Sequence, residues 1–154
     1  MAGSYEDAAA ADQRRDYATA LALLRPLAER GDARAQYGIG LMTLHGHGIP
    51  QDDSAANQWL RRSADQGYGP AQFRLGMNYA GGTYDPPDRV QAYLWLTLSA
   101  ECLSPDDAGA KEEALVTRDR EVKFMTQTEI VNSLELVRKW RQEHPVVDQL
   151  VPRE

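Results

Sequence analysis

The sequence contains a single cysteine, Cys102, so no disulfide can close within the chain and no cysteine-rich metal cluster can be built. It also lacks any apolar run approaching the ~18 residues of a membrane-spanning helix. No charged region followed by a hydrophobic stretch marks the N-terminus as a signal peptide. Met1-Ala2-Gly3-Ser4 is small and bland, compatible with a native start or with one whose leader has been removed. Positive charge is in deficit: 17 Lys and Arg stand against 23 Asp and Glu, a formal net charge of −6. That balance repels nucleic acid and anionic membranes. The basic pairs Arg14-Arg15, Arg61-Arg62 and Arg138-Lys139 read as solvated helix faces. β-Branched residues are sparse until the C-terminal third while alanine and leucine are abundant, which favours helix over sheet. No glycine-rich segment lies between a strand and a helix, so phosphate-loop and dinucleotide readings fail. Nucleophile-elbow and zinc-protease patterns are missing as well.

What is present is a repeat. Moving the sequence forward by 36 positions lays Ala35-Gln36 on Ala71-Gln72 and Ile39-Gly40 on Leu75-Gly76. The same shift lays Ala56 on Ala92, Trp59-Leu60 on Trp95-Leu96 and Ser63-Ala64 on Ser99-Ala100. Shifted back, Ala20, Leu24, Ala28 and Gly31 meet Ala56, Leu60, Ala64 and Gly67. A period in this range signals stacked helical units, none of which can bury its apolar face alone.

Each unit reads as a helix pair. Asp16 and Asp32 stand at N-cap positions, with Tyr17, Ala20, Leu21, Leu24, Leu27 and Ala28 at helical spacing between them and Gly31 as a stop. Pro26 inside that helix predicts a bend near Ala22. Gly46-His47-Gly48-Ile49-Pro50 breaks the next helix, and Asp52 opens its partner. In the following copy the loop is Gly81-Gly82-Thr83-Tyr84-Asp85-Pro86-Pro87, and Asp88 is the cap. After Leu103 the period stops. Ser104-Pro105-Asp106-Asp107 starts a helix in which Ala108, Ala114, Leu115 and Val116 follow as apolar positions. Thr126 and Glu129 have capping-box spacing, ahead of Ile130, Leu134, Val137 and Trp140.

These recurring residues resemble the Sel-1-like repeat family, relatives of the tetratricopeptide repeats. In one copy the resemblance rests on Ala35, Ile39-Gly40, Gly46-His47-Gly48-Ile49, Asp52, Ala56, Trp59, Ala64 and Gly67. In the next it rests on Ala71, Leu75-Gly76, Tyr79, Gly82, Asp88, Ala92, Trp95 and Ala100. Thr43, Tyr84 and Leu103 depart from the family pattern, the last as expected of a terminal unit. The resemblance implies an all-α fold: an α/α solenoid, a right-handed superhelix of antiparallel helix pairs with C-terminal capping helices. It sets expectations of one domain over 4–144, comprising a helix pair at 4–31, repeats at 32–67 and 68–103, capping helices at 104–144, and a mobile tail at 145–154. It further implies a bacterial-type, non-enzymatic adaptor that holds a protein or peptide on its concave face, without a cofactor. Nucleic acid and membrane insertion are not expected, and a monomer is favoured. The compartment is cytoplasmic as the chain stands, and periplasmic if a leader was removed.

Within the first helix of each copy, Tyr37 and Leu41, with counterparts Phe73 and Met77, form a second apolar stripe that either packs on a neighbouring unit or lines a groove. Arg34, Gly38, Arg74 and Asn78 flank it as candidate contact residues, with Gly38 leaving room for a ligand backbone. The competing reading is a small metal- or ligand-binding protein, or a hydrolase, using His45, His47 and Cys102. Zinc needs three or four ligands, and no third ligand is adjacent in sequence. Helix capping accounts for Asp52-Asp53 and Asp106-Asp107 without catalysis.

Overall fold

In a computed structural model, residues 3–82 and 87–145 are described. They hold eight α-helices and no strand: α1 (Tyr5–Gln13), α2 (Tyr17–Glu29), α3 (Ala33–His45), α4 (Asp53–Asp65), α5 (Gly69–Met77), α6 (Arg89–Cys102), α7 (Ala108–Val122) and α8 (Gln127–Glu143). The fold class is all-α. The expected tail beyond Pro145 and the loop residues Thr83, Tyr84, Asp85 and Pro86 lie outside the described residues.

Helix starts follow the sequence signals. Asp16, Asp52 and Asp88, each 36 residues after the last, accept hydrogen bonds from the backbone amides of Thr19 (3.2 Å), Ala55 (2.9 Å) and Gln91 (3.0 Å). Asp32 does the same for Ala35 at 3.0 Å. Ser4 with Asp7, and Thr126 with Glu129, complete reciprocal capping boxes. Each arrangement satisfies amides that a helix leaves without an internal partner. Helix α2 continues through Pro26, which is exposed, as is Ala22, whose carbonyl loses its internal donor to the proline. Helix α5 runs on into a π-helical turn, Asn78–Gly82, with Gly81 at a φ of 118°.

The chain packs as two compact units, Met1–Ser63 and Ala64–Glu154. The core of the first joins Ala8 and Ala11 of α1, Ala20, Leu24 and Ala28 of α2, and Ala35, Ile39 and Met42 of α3, with Trp59 packed against it. In the second, α6 is covered by α5, α7 and α8. Six of its residues are buried as a result: Ala92, Leu94, Trp95, Leu96, Leu98 and Ser99. Fully burying each leucine contributes about 1.5–3 kcal/mol.

The 36-residue period has a structural cause that recurs in both units. The Gln36 side-chain amide donates to the Ala28 carbonyl at 3.1 Å, and Gln72 donates to Ala64 at 3.2 Å, both buried. Each bond brings a second donor, from the first turns of the next helix, to a carbonyl in the last turn that also accepts the Gly31 or Gly67 amide at 3.0 Å. A Cβ at Gly40 would sit 3.0 Å from Leu60 Cγ, and one at Gly76 only 2.6 Å from Leu96 Cγ. Glycine at these positions therefore sets how closely the two helices of a pair approach. Gly31 and Gly67 close their units with φ of 96° and 84°, whereas Leu103 takes an extended φ of −64° and ψ of 145°. A leucine in the left-handed region would be strained. The chain instead leaves α6 straight into Ser104, whose hydroxyl accepts from the Asp106 amide.

Four apolar positions that the sequence offers on α7 and α8 prove exposed: Ala108, Leu115, Val116 and Leu134. The buried faces are Ala114, Thr117 and Glu121 on α7, and Ser133, Val137 and Trp140 on α8. Small and polar residues occupy the contact because α7 and α8 lie close upon α6. Glu121 is accommodated by pairing with Arg89 at 3.3 Å. The repeated tryptophans also differ: Trp95 is wholly buried, while Trp59 is half-buried beneath the Arg62 guanidinium, 4.9 Å from its ring centre.

Candidate functional site

The first unit contains a cavity of about 300 Å³ between α1 and α3, floored by Leu24 of α2. One wall is the stripe Tyr5, Ala8, Ala9 and Asp12 of α1, whose spacing places all four on one helix face, with Gln13 beside them. The other is Tyr37, Gly38, Leu41, Met42 and His45 of α3, followed by His47. Contacts at both ends fix the walls. At one end the Arg34 guanidinium lies 4.6 Å from the Tyr5 ring centre and pairs with Glu6 at 3.4 Å. At the other, Tyr17 stacks on His47 with ring centres 4.4 Å apart. The starts of α1 and α3 are thus adjacent, and so are their ends; the two helices run parallel along the groove.

The glycine loop makes the second bridge possible. Gly46 ends α3 in the left-handed conformation (φ 69°), and its neighbour His47 returns its amide to the Met42 carbonyl at 2.8 Å. A Cβ at Gly48 would approach Tyr17 Cβ at 3.0 Å and its backbone at 3.3 Å. Glycine there lets the loop sit on the start of α2.

Of the residues singled out by sequence, Tyr37, Gly38 and Leu41 line this groove. The room beside Gly38 is taken by Leu24, whose Cδ1 would lie 3.1 Å from an added Cβ. Arg34 stands at the rim, engaged by Tyr5, Glu6 and Asp32. Their counterparts in the second unit are placed differently. Phe73 and Met77 pack against a cluster of Ala92, Leu96 and Ala114, so α7 covers the stripe there. Arg74 is half-buried and Asn78 is buried. Sequence reasoning missed the α1 wall, Tyr5 and Asp12 above all. Its only signal was the helical spacing of Tyr5, Ala8 and Ala9.

The residues of the competing reading fall in different units. His45 and His47 have ring centres 5.6 Å apart in the first, and Cys102 belongs to the second. Among the described residues no group of three His, Cys, Asp or Glu side chains could hold a metal ion. Burial raises the Cys102 thiol to a pKa of about 11, with the Glu101 carboxylate adding to the effect. A thiol so placed stays protonated near neutral pH and is a poor nucleophile. No described helix is long and apolar enough to cross a membrane.

Comparison with known proteins agrees with this architecture. The Sel1 repeat matches residues 4–32, 33–68 and 69–102. No curated protein sequence matches the chain. Among solved structures, the chain is similar to c5321, described as a protective antigen present in uropathogenic Escherichia coli strains displaying an SLR fold, with a TM-score of 0.71 at 24% sequence identity. That similarity covers 88% of this chain and 29% of c5321, so the chain spans less than a third of that protein's length. Three consecutive matches covering well over half of the sequence decide the assignment: the chain belongs to the Sel1-repeat family.

Proposed function

We propose that this chain is a non-enzymatic adaptor that binds a segment of another protein on the first helices of its repeats, with the α1–α3 groove of the first unit as the working site. The observation that carries this reading is the groove itself. It is an open cavity of about 300 Å³ with two tyrosines, Leu41 and Met42 on its walls, between helices that belong to successive repeats. Apolar and aromatic surface left uncovered in a concave site is the usual setting for a ligand side chain. The second unit offers a contrast, since its matching stripe is already occupied by α7. Protein, rather than nucleic acid, suits both the net charge of −6 and the absence of any lysine or arginine among the described groove-lining residues.

Selection of short peptides from a random library on the purified chain tests this directly. Peptides enriched on the wild type should lose binding to Leu41→Arg, which fills the groove with charge, while circular dichroism shows unchanged helicity. Retention of binding by Leu41→Arg would refute the assignment of the site.

A further inference from the structure

The two ends of the groove are chemically unlike. At the start of α1 and α3, Arg34 is engaged by Glu6 at 3.4 Å and Asp32 at 3.8 Å. At the far end stands Asp12, exposed on the groove wall, with Gln13, His45 and His47 nearby. Because α1 and α3 run parallel, both present their C-terminal ends there, where the helix dipole is negative. Arg14 and Arg15 follow just past Asp12 at the end of α1, but neither they nor any other described lysine or arginine lines the cavity. The polar end therefore favours a cation, and the middle, with Leu41, Met42, Ala8 and Ala9, favours an apolar group.

Resting on the reading that this groove binds a protein segment, we propose that the segment carries an apolar side chain and, two residues away, a lysine or arginine received by Asp12. The spacing follows from the wall. Ala8, in the apolar middle, and Asp12 are four residues apart on α1, or about 6 Å along its axis at 1.5 Å per residue. An extended peptide covers that length in about two residues, and side chains two apart share one of its faces. An acidic residue at the same register would meet Asp12 and two helix C-termini at once.

The test uses fluorescence anisotropy of the full chain with labelled peptides in a Gly-Ser background: leucine paired at the two-residue spacing with arginine, glutamine or glutamate, and serine paired with arginine. The leucine–arginine peptide should bind about fivefold more tightly than leucine–glutamate, the size expected of a solvent-exposed charge pair aided by helix ends. Asp12→Asn should remove that preference, Asp12→Lys should reverse it, and the serine–arginine peptide should bind weakest. If leucine peptides bind through Leu41 but without charge preference, or Asp12→Lys leaves the ranking unchanged, the basic register is refuted while the groove stands. If Leu41→Arg binds every peptide as the wild type does, or leucine–arginine shows no binding up to about 1 mM, both readings fall together.

Discussion

Three helix glycines make a graded test of how closely the helices of a pair approach. A Cβ at Gly76 would lie 2.6 Å from Leu96 Cγ, 2.7 Å from Cδ2 and 3.0 Å from the Leu96 backbone nitrogen. Leu96 is wholly buried and the nitrogen belongs to α6, so neither can give way cheaply. Overpacking of this kind costs about 1–3 kcal/mol, against which replacing glycine in a helix returns about 1 kcal/mol. Gly76→Ala should therefore destabilise by up to about 2 kcal/mol in net terms. At Gly40 the nearest atoms are the Leu60 side chain at 3.0 Å and the Ala56 carbonyl at 3.4 Å, so a few tenths of an ångström suffice. The opposing effects should then cancel to within about 1 kcal/mol. Gly109 in α7 has nothing within 4 Å, and Gly109→Ala should stabilise by about 0.4–1 kcal/mol. Urea titration followed by circular dichroism at the helix band measures all three. Thermal midpoints should separate by about 2–4 °C per kcal/mol for a chain of this size. The reasoning fails if Gly76→Ala is as stable as Gly109→Ala.

Other outcomes follow from single contacts. Gln72→Ala removes a buried hydrogen bond to the Ala64 carbonyl, which keeps its bond from the Gly67 amide at 3.0 Å, and opens a cavity; it should cost about 1–3 kcal/mol by denaturant titration. Thr126→Ala removes one half of the α8 capping box and should cost about 1 kcal/mol in the same assay. Alkylation of Cys102 by iodoacetamide should be slow at pH 8, where roughly a thousandth of a thiol with a pKa of about 11 is ionised, and accelerate as pH rises towards that value. Because burial raises this pKa above the unfolded value, its contribution to stability is complete below pH 9.0 and is lost as pH climbs through about 11.

Much of the architecture was legible because the repeat writes the same physical constraints more than once. Asp16, Asp52 and Asp88 announce helix starts, and Gly31 and Gly67 announce stops, through local chemistry that needs no knowledge of neighbours. What lies between distant residues was harder to read. Gln36 and Gln72 matched in sequence, yet only packing reveals that each reaches back eight residues to a buried carbonyl. The stripe of Tyr37, Leu41, Phe73 and Met77 is uniform in sequence, but its two halves meet different surroundings. Ala114 of α7 helps cover Phe73 and Met77, whereas α1 leaves space beside Tyr37 and Leu41. The difference arises from alanine-rich α1 and non-repeating α7, the two segments where periodicity carries least information.

Site-specific crosslinking tests the central claim most directly. With a photoreactive benzophenone side chain in place of Tyr37, on the groove wall, and separately in place of Val116, exposed on α7, the peptides selected by the wild-type chain are irradiated on each protein. A groove that holds the partner predicts strong crosslinks at position 37 and none above background at 116. Equal yields at the two positions, or capture at 116 alone, would contradict it.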